Sequence, residues 1–214
     1  MSEMELKSAL KRSPVFGPIN AVQRAVVYRR WALRGRPVPP PHEIKQRVVL
    51  EYADRFNLRS FVETGTYRGK MIFAVRNRFD RIFSIELDAG LAERARNIFT
   101  HDKHVTIVEG DSGRALPEVL EKLDAPTLFW LDGHYSGPGT ARGALDTPIA
   151  QELLAITAHG NGRHVILVDD ARLFTGDRGY PTLQDLEPIL AEAPTSWQVD
   201  VADDVIRITP ADSG

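Results

Sequence analysis

The chain has 214 residues, 43% of them hydrophobic, and a formal net charge of −2 at pH 7. This length and apolar content suit one compact domain, and the near-neutral charge gives no reason to expect a nucleic-acid partner. The sequence contains no cysteine, which excludes disulfides, thiolate metal sites and a cysteine nucleophile.

Residues 1–46 are predicted to form a basic, helical appendage that ends in a proline-rich linker. Residues 1–47 carry ten Lys or Arg against three Glu, and apolar residues recur among arginines at near-helical spacing within residues 19–36. Prolines between positions 37 and 41 then break any helix. The appendage either packs on the domain or on a second subunit, as in a homodimer, or it contacts an anionic membrane surface or an acidic partner.

Residues 47–214 alternate between strands and helices, which is typical of a doubly wound α/β domain. Five strand–helix units precede a C-terminal hairpin, so we expect a mostly parallel, seven-stranded, Rossmann-like sheet with an antiparallel edge. The predicted strands are Ser60–Glu63, Arg81–Glu86, Val105–Glu109, Thr127–Leu131, Val165–Val168, Trp197–Val201 and Val205–Thr209. The predicted helices are Glu43–Phe56, Lys70–Asn77, Ala89–Phe99, Gly113–Lys122, Pro148–Ala158 and Leu183–Ala193.

The turn after the first strand predicts a ligand-binding loop. Its glycines let the backbone turn sharply and approach a ligand closely. A carboxylate at Glu63 would repel phosphates but can accept hydrogen bonds from an ammonium group, and no Gly-Lys-Ser/Thr sequence follows. An ordinary connection is the alternative. The candidate ligand-binding residues of this turn are Glu63, Gly65, Thr66, Tyr67 and Gly69.

Acidic residues also follow the second and third strands. Glu86 lies where a nucleoside-binding α/β fold places a carboxylate that accepts both ribose hydroxyls. Asp111, next to Ser112, is a candidate acceptor for an adenine amino group. Each position has a structural alternative, because Glu86 suits the start of the next helix and Asp111 or Ser112 suits a helix N-cap.

The fourth and fifth strands are apolar runs that end in carboxylates, at Asp132 and at Asp169–Asp170. Acids at the carboxyl ends of buried strands lie where open α/β sheets bind ligands. If the two strands are neighbours, their separation of about 4.8 Å brings three carboxylates within reach of one hard cation, such as Mg²⁺, Ca²⁺ or Mn²⁺. Capping of the segments that follow is the alternative.

Together these motifs resemble the class I S-adenosylmethionine-dependent methyltransferases, and within them the metal-dependent O-methyltransferases of the macrocin type. The resemblance covers about Arg47–Thr209. It implies S-adenosylmethionine as the methyl donor and a divalent metal ion, with Mg²⁺ expected. The implied cofactor contacts are Glu63 and Gly65 at the methionine end, Glu86 at the ribose, Asp111 and Ser112 at the adenine, and Asp132 beside them. The implied metal ligands are Asp132, Asp169 and Asp170.

The segment after Asp132 carries the remaining candidates. His134 is a candidate general base for an acceptor hydroxyl, and it is equally compatible with a surface or loop-packing histidine. The sequence departs here from the catechol type, which has a lysine just after its first metal-binding acid, because no lysine stands at this place. The glycine-rich stretch Gly133–Gly143 is predicted to close over a substrate, with a merely mobile connection as the alternative. The candidate acceptor contacts are Tyr135 and Arg142 in this stretch and Arg172 on the facing rim.

The function predicted from these residues is transfer of a methyl group from S-adenosylmethionine to a hydroxyl of a small molecule, assisted by a divalent metal. Two alternatives remain: a methyltransferase that needs no metal, and a non-catalytic S-adenosylmethionine-binding or partner-binding module that works through the basic appendage. No apolar stretch reaches the roughly 18 residues of a membrane span, and Met1–Lys11 lacks the apolar centre of a signal peptide, so a cytoplasmic protein is expected.

Overall fold

A computed structural model describes residues 16–132, 148–159, 163–177 and 179–211, with side chains described from residue 25 onward. The strands are β1 (Ser60–Thr64), β2 (Arg81–Glu86), β3 (Val105–Glu109), β4 (Thr127–Leu131), β5 (Val165–Val168), β6 (Trp197–Ala202) and β7 (Val205–Pro210). The helices are α1 (Phe16–Leu33), α2 (His42–Arg55), α3 (Lys70–Val75), α4 (Ala89–Ile98), α5 (Ser112–Leu120), α6 (Ile149–Ala158) and α7 (Leu183–Ala191).

The seven strands form one sheet in the order β3-β2-β1-β4-β5-β7-β6. Strands β1 to β5 pair in parallel, whereas β7 runs antiparallel to both β5 and β6. The predicted fold class, a mostly parallel Rossmann-like sheet with an antiparallel C-terminal hairpin, is confirmed. Strands β1, β4 and β5 are buried along their whole length, which explains why β4 and β5 are nearly continuous apolar runs rather than alternating ones.

Helices cover both faces of the sheet, and successive strand residues point alternately into the two resulting cores. On one face, Val62 and Phe129 belong to the same apolar cluster as residues of α5, α6 and α7. On the other face, Phe61 and Leu128 pack in a cluster with residues of α2 and α3. The cores hold the carboxyl ends of the central strands in a fixed relation to one another.

The strand order reverses between β1 and β4, because the chain passes from β1 outward to β2 and β3 before it returns. Open α/β sheets bind their ligands outside the carboxyl ends of the strands at such a switch point. The ladder continues one residue past the strands, since the Asp132 amide donates to the Thr64 carbonyl at 3.1 Å and the Asp169 amide to the Leu131 carbonyl at 3.0 Å. The residues that follow β1, β4 and β5 therefore lie side by side.

Helix α1 packs on α2 through aromatic contacts. Trp31 is only 3% exposed, and its indole Nε1 donates to the Pro37 carbonyl at 2.8 Å. The Arg47 guanidinium of α2 lies 3.9 Å from the centre of the Tyr28 ring. The predicted boundary between residues 46 and 47 falls inside α2. In the part of the chain that the structure describes, no helix has the length and hydropathy needed to cross a membrane.

Candidate functional site

The loop after β1 is tightly turned at the switch point. Gly65 and Gly69 have φ of 86° and 65°, a region that glycine enters without strain, and Tyr67 also has a positive φ of 46°. A Cβ at Gly69 would lie 2.8 Å from the Phe99 ring, so packing as well as conformation requires glycine there. The Gly65 amide donates to the Ile85 carbonyl at 2.9 Å, which holds the loop against the end of β2.

Glu63 is a buried acid beneath this loop, with 1% of its surface exposed. The Ser84 hydroxyl donates to Glu63 Oε1 at 2.6 Å, and the Thr66 hydroxyl lies 2.5 Å from that of Ser84. Burial raises the pKa of Glu63 to about 8, the hydrogen bond from Ser84 opposes this, and the negative charge of Glu86 adds to it. Among the described residues no cation pairs with Glu63, so an ammonium group of a ligand would find an acid that lacks a counterion.

Glu86 ends β2 and organises the same loop. The Tyr67 amide donates to its Oε2 at 2.7 Å, and the Asp88 amide donates to its Oε1 at 3.0 Å. The helix N-cap in this region is Asp88, which accepts from the Leu91 amide, so Glu86 does not cap α4. Each carboxylate oxygen can accept a second hydrogen bond. Glu86 thus holds the loop in place and retains acceptors for the hydroxyls of a ligand.

Asp111 and Ser112 start α5 at the end of β3. The Asp111 carboxylate accepts from the Gly113 amide at 3.0 Å and is the N-cap of the helix, whereas Ser112 is buried in its first turn. The structural alternative that the sequence left open for Asp111 is therefore realised. A contact of either residue with adenine stays a prediction.

Asp132, Asp169 and Asp170 converge at the ends of β4 and β5. These strands are neighbours, and one carboxylate oxygen from each residue lies within 4.8 Å of the others. Asp169 and Asp170 are buried, and Asp170 takes the left-handed conformation with φ of 55°. The expected convergence of three acids is confirmed. Burial and the charge of Asp170 raise the pKa of Asp169 to about 6 against the effect of Lys45.

Lys45 of α2 reaches into this group of acids. Its Nζ donates to Asp169 Oδ2 at 2.6 Å and to Asp170 Oδ1 at 3.0 Å, with the side chain 13% exposed. Burial disfavours the charge of Lys45, but the two carboxylates outweigh burial and raise its pKa. The ammonium group therefore stays charged at neutral pH.

Arg172 also contacts one of these acids, Asp170. Its guanidinium donates to Asp170 Oδ1 at 2.8 Å and also to the Asp204 carboxylate. Asp204 belongs to the β6–β7 hairpin and accepts the Arg172 backbone amide at 2.9 Å as well. Arg172 therefore lies beside the three acids, where it is engaged by two carboxylates, and its contact with an acceptor stays a prediction.

No family model matches the chain. The ribosomal RNA small subunit methyltransferase A of Acidobacterium capsulatum is 36% identical over 81 residues, which cover 36% of this chain. The chain spans only 29% of the length of that curated relative.

Solved structures match over most of the chain. The SAH-bound methyltransferase PaMTH1 of Podospora anserina has a TM-score of 0.55 and 18% identity, covering 90% of this chain and 88% of its own. The O-methyltransferase TomG of Streptomyces achromogenes, in complex with SAM, has a TM-score of 0.55 and 18% identity, covering 98% and 99%. An O-methyltransferase of Bacillus cereus in complex with SAH has a TM-score of 0.55 and 13% identity, covering 88% and 90%.

The chain has the class I methyltransferase fold. In this fold the loop after β1, the end of β2 and the end of β4 lie together at the switch point. The candidate residues Glu63, Glu86 and Asp132 come from these three places.

Of the three converging acids Asp132, Asp169 and Asp170, two already bind the ammonium group of Lys45 where a metal ion would bind. Their oxygen chemistry suits a hard cation. Asp169, however, already accepts from Lys45 at one oxygen and from the Asp170 amide, at 2.7 Å, at the other. Oδ1 of Asp170 accepts from both Lys45 and Arg172. Because the charged Lys45 bridges Asp169 and Asp170, a divalent ion between the same two carboxylates would lie against another cation, so the residues present do not fit one there.

Three predicted site residues, His134, Tyr135 and Arg142, lie outside the described residues, and their roles stay predictions. Four side chains near the site were not singled out by sequence reasoning for the roles that they have: Lys45, Ser84, Asp204 and His42. His42 begins α2, and burial together with the charges of Lys70 and Lys45 lowers its pKa to about 4. Ser84 lies within a motif that the sequence already marked, but Lys45 and His42 belong to a helix with no local signature of a site.

Proposed function

We propose that the protein is an S-adenosylmethionine-dependent methyltransferase that transfers a methyl group to a hydroxyl of a small molecule. Glu63 is the observation that carries the proposal, because it is a buried acid without a counterion among the described residues, at the switch point of a methyltransferase fold. The α-ammonium group of S-adenosylmethionine would supply that counterion. Two of the structural neighbours, TomG and the Bacillus cereus enzyme, are O-methyltransferases, which supports oxygen as the acceptor.

The chain's own residues would bind and orient the methyl donor. Glu63 would hold the ammonium end, and Glu86, whose oxygens keep free lone pairs, would accept the ribose hydroxyls. When bound, S-adenosylmethionine would supply a methyl group on a cationic sulfur; its transfer to the acceptor oxygen would leave S-adenosylhomocysteine and release the hydroxyl proton to water. Methyl transfer is an in-line displacement, so holding the two reactants in position accounts for much of its rate.

Binding of the methyl donor can be tested by calorimetric titration of the protein with S-adenosylmethionine. We expect saturable binding, and we expect Glu86→Ala to weaken it by roughly tenfold or more, as charge-assisted hydrogen bonds are lost. Glu109→Ala is the matched control, because Glu109 pairs with Glu86 in the register of β2 and β3 but forms an exposed ion pair with Arg96. The absence of binding to the wild-type protein would contradict the proposal.

Methyl transfer itself can be tested with radiolabelled S-adenosylmethionine and a panel of acceptors. We expect label in small molecules that carry a free hydroxyl. A panel that also contains ribosomal RNA addresses the activity named for the curated relative. Label in RNA alone would contradict a small-molecule acceptor, and donor binding without transfer to any acceptor would support a non-catalytic module.

A further inference from the structure

We infer that the Lys45 ammonium group occupies the cation position at the Asp132, Asp169 and Asp170 carboxylates, so that this site works without a divalent metal. The inference rests on the proposed function in one respect only: that the methyl acceptor binds beside these three carboxylates. The position of Lys45 is a separate observation, and it can be tested separately.

Lys45 lies within hydrogen-bonding distance of two of the three carboxylates. Lys45 Nζ is 2.6 Å from Asp169 and 3.0 Å from Asp170, so it bridges the two carboxylates that follow β5. Each contact joins an ammonium donor to a carboxylate acceptor, so both are charge-assisted hydrogen bonds. A divalent ion bound by the same two residues would lie within a few ångströms of this ammonium group, and the two cations would repel each other.

The carboxylates of Asp169 and Asp170 already accept hydrogen bonds from the protein. Both carboxylate oxygens of Asp169 and Oδ1 of Asp170 accept from described donors of this chain, namely Lys45, Arg172 and the Asp170 amide. A metal ion would have to displace Lys45 from a mostly buried position. Removing one partner of a buried ion pair is costly, since it leaves a charge without compensation.

Helix α2, which carries Lys45, is packed against the sheet. Val48 and Val49, on the turn after Lys45, are buried in the core that α2 forms with the sheet. The rotation of the helix about its axis is therefore fixed by packing, and Lys45 extends toward the acids as a consequence. Lys45 is a positioning residue: it holds Asp169 and Asp170 in place and balances part of their charge beside Asp132.

The test is a titration with Mn²⁺, followed by the electron paramagnetic resonance signal of the free ion. We expect the wild-type protein to show no saturable binding at micromolar Mn²⁺. Lys45→Met keeps the length of the side chain but removes its charge, so we expect it to bind Mn²⁺ at least roughly tenfold more tightly than the wild type. Lys45→Arg retains a cation and should behave as the wild type does, as should Lys103→Met at an exposed position.

Micromolar binding of Mn²⁺ by the wild-type protein would overturn the inference, and so would a Lys45→Met variant that folds but gains no affinity. The wild-type arm decides the matter even if Lys45→Met fails to fold. Titration of the same samples with S-adenosylmethionine separates the two proposals. If the wild-type protein did not bind S-adenosylmethionine, the proposed function would be contradicted. The Mn²⁺ titration would still decide whether Lys45 occupies the cation position.

Discussion

Glu63 is a carboxyl group in a buried position that disfavours its ionisation. A carboxyl group in an apolar sheet is expensive to ionise, and the single hydrogen bond from Ser84 compensates only part of that cost. The acid therefore tends to hold its proton in the free protein. Such a position is typical of a functional site, where a ligand supplies what the fold does not.

This leads to a prediction for the pH dependence of stability. The pKa of Glu63 in the folded protein, about 8, lies above its ordinary value of 4.5, so its contribution to stability is complete below pH 4.5 and is lost as the pH rises through 8. Glu63→Gln removes the ionisation. We expect the melting temperature of the wild type to fall by ~3 °C or more, relative to that of Glu63→Gln, between pH 6 and pH 9.

Thermal unfolding of both proteins across this pH range checks the prediction. Glu118→Gln removes an exposed carboxylate from α5 and should reproduce the wild-type curve. A wild-type curve parallel to that of Glu63→Gln would mean that Glu63 is already compensated in the free protein. Saturating S-adenosylmethionine should flatten the wild-type curve, because an ammonium partner stabilises the charged form.

At the scale of the elements, the loop between β1 and α3 depends on Gly69. This residue is the N-cap of α3 with φ of 65°, and any side chain there would meet the Phe99 ring at the end of α4. Two requirements coincide at one position: a left-handed backbone and close packing between two helices. The shape of the loop above Glu63 depends on both.

We expect Gly69→Ala to destabilise the protein by more than the ~1–2 kcal/mol that a left-handed alanine alone costs, because the Cβ also clashes with the Phe99 ring. Gly35→Ala is the matched control, since Gly35 has φ of 80° but a Cβ added there would meet nothing within 4 Å. Chemical denaturation measures both variants. Equal losses for the two variants would show that the packing against Phe99 contributes nothing.

The elements themselves were predictable because their sequences carry strong local signals. The buried runs Leu128–Leu131 and Val165–Val168 read as strands, and the predicted bounds of β2, β3, β4 and β5 match the observed ones. The turn between β6 and β7 consists of Asp203 and Asp204, which both take the left-handed conformation that aspartate tolerates. Within the site, the convergence of Asp132 with Asp169–Asp170 followed from the neighbouring strands alone.

At the scale of the whole molecule, the contact that changes the interpretation of the site was not predictable. Lys45 and Asp169 are 124 positions apart, and they meet only because α2 packs on the sheet with one particular rotation. No local pattern encodes that rotation; it depends on how Val49 and its neighbours fill the core between α2 and the sheet. The same holds for Arg172, whose partner Asp204 is brought to the site by the C-terminal hairpin.

Helix α1 adds an outer layer to this assembly by packing on α2, the helix that carries Lys45. Trp31 of α1 is buried, whereas Leu33, two residues later, is 88% exposed. Substituting Trp31 therefore tests the buried side of α1, and substituting Leu33 tests its exposed side. None of the described contacts of Trp31 involves the residues of the candidate site.

We expect Trp31→Ala to release α1 without weakening the binding of S-adenosylmethionine. Truncating a buried tryptophan costs about 3–5 kcal/mol, so trypsin should cleave after Arg29, Arg30 and Arg34 at least roughly tenfold faster than in the wild type. Leu33→Ala lies on the same helix and should leave the cleavage rate unchanged. Mass spectrometry of the fragments and calorimetry with S-adenosylmethionine provide the two measurements. If Trp31→Ala also lost affinity for the methyl donor, α1 would support the site through α2, and the appendage would have to be counted as part of the binding domain.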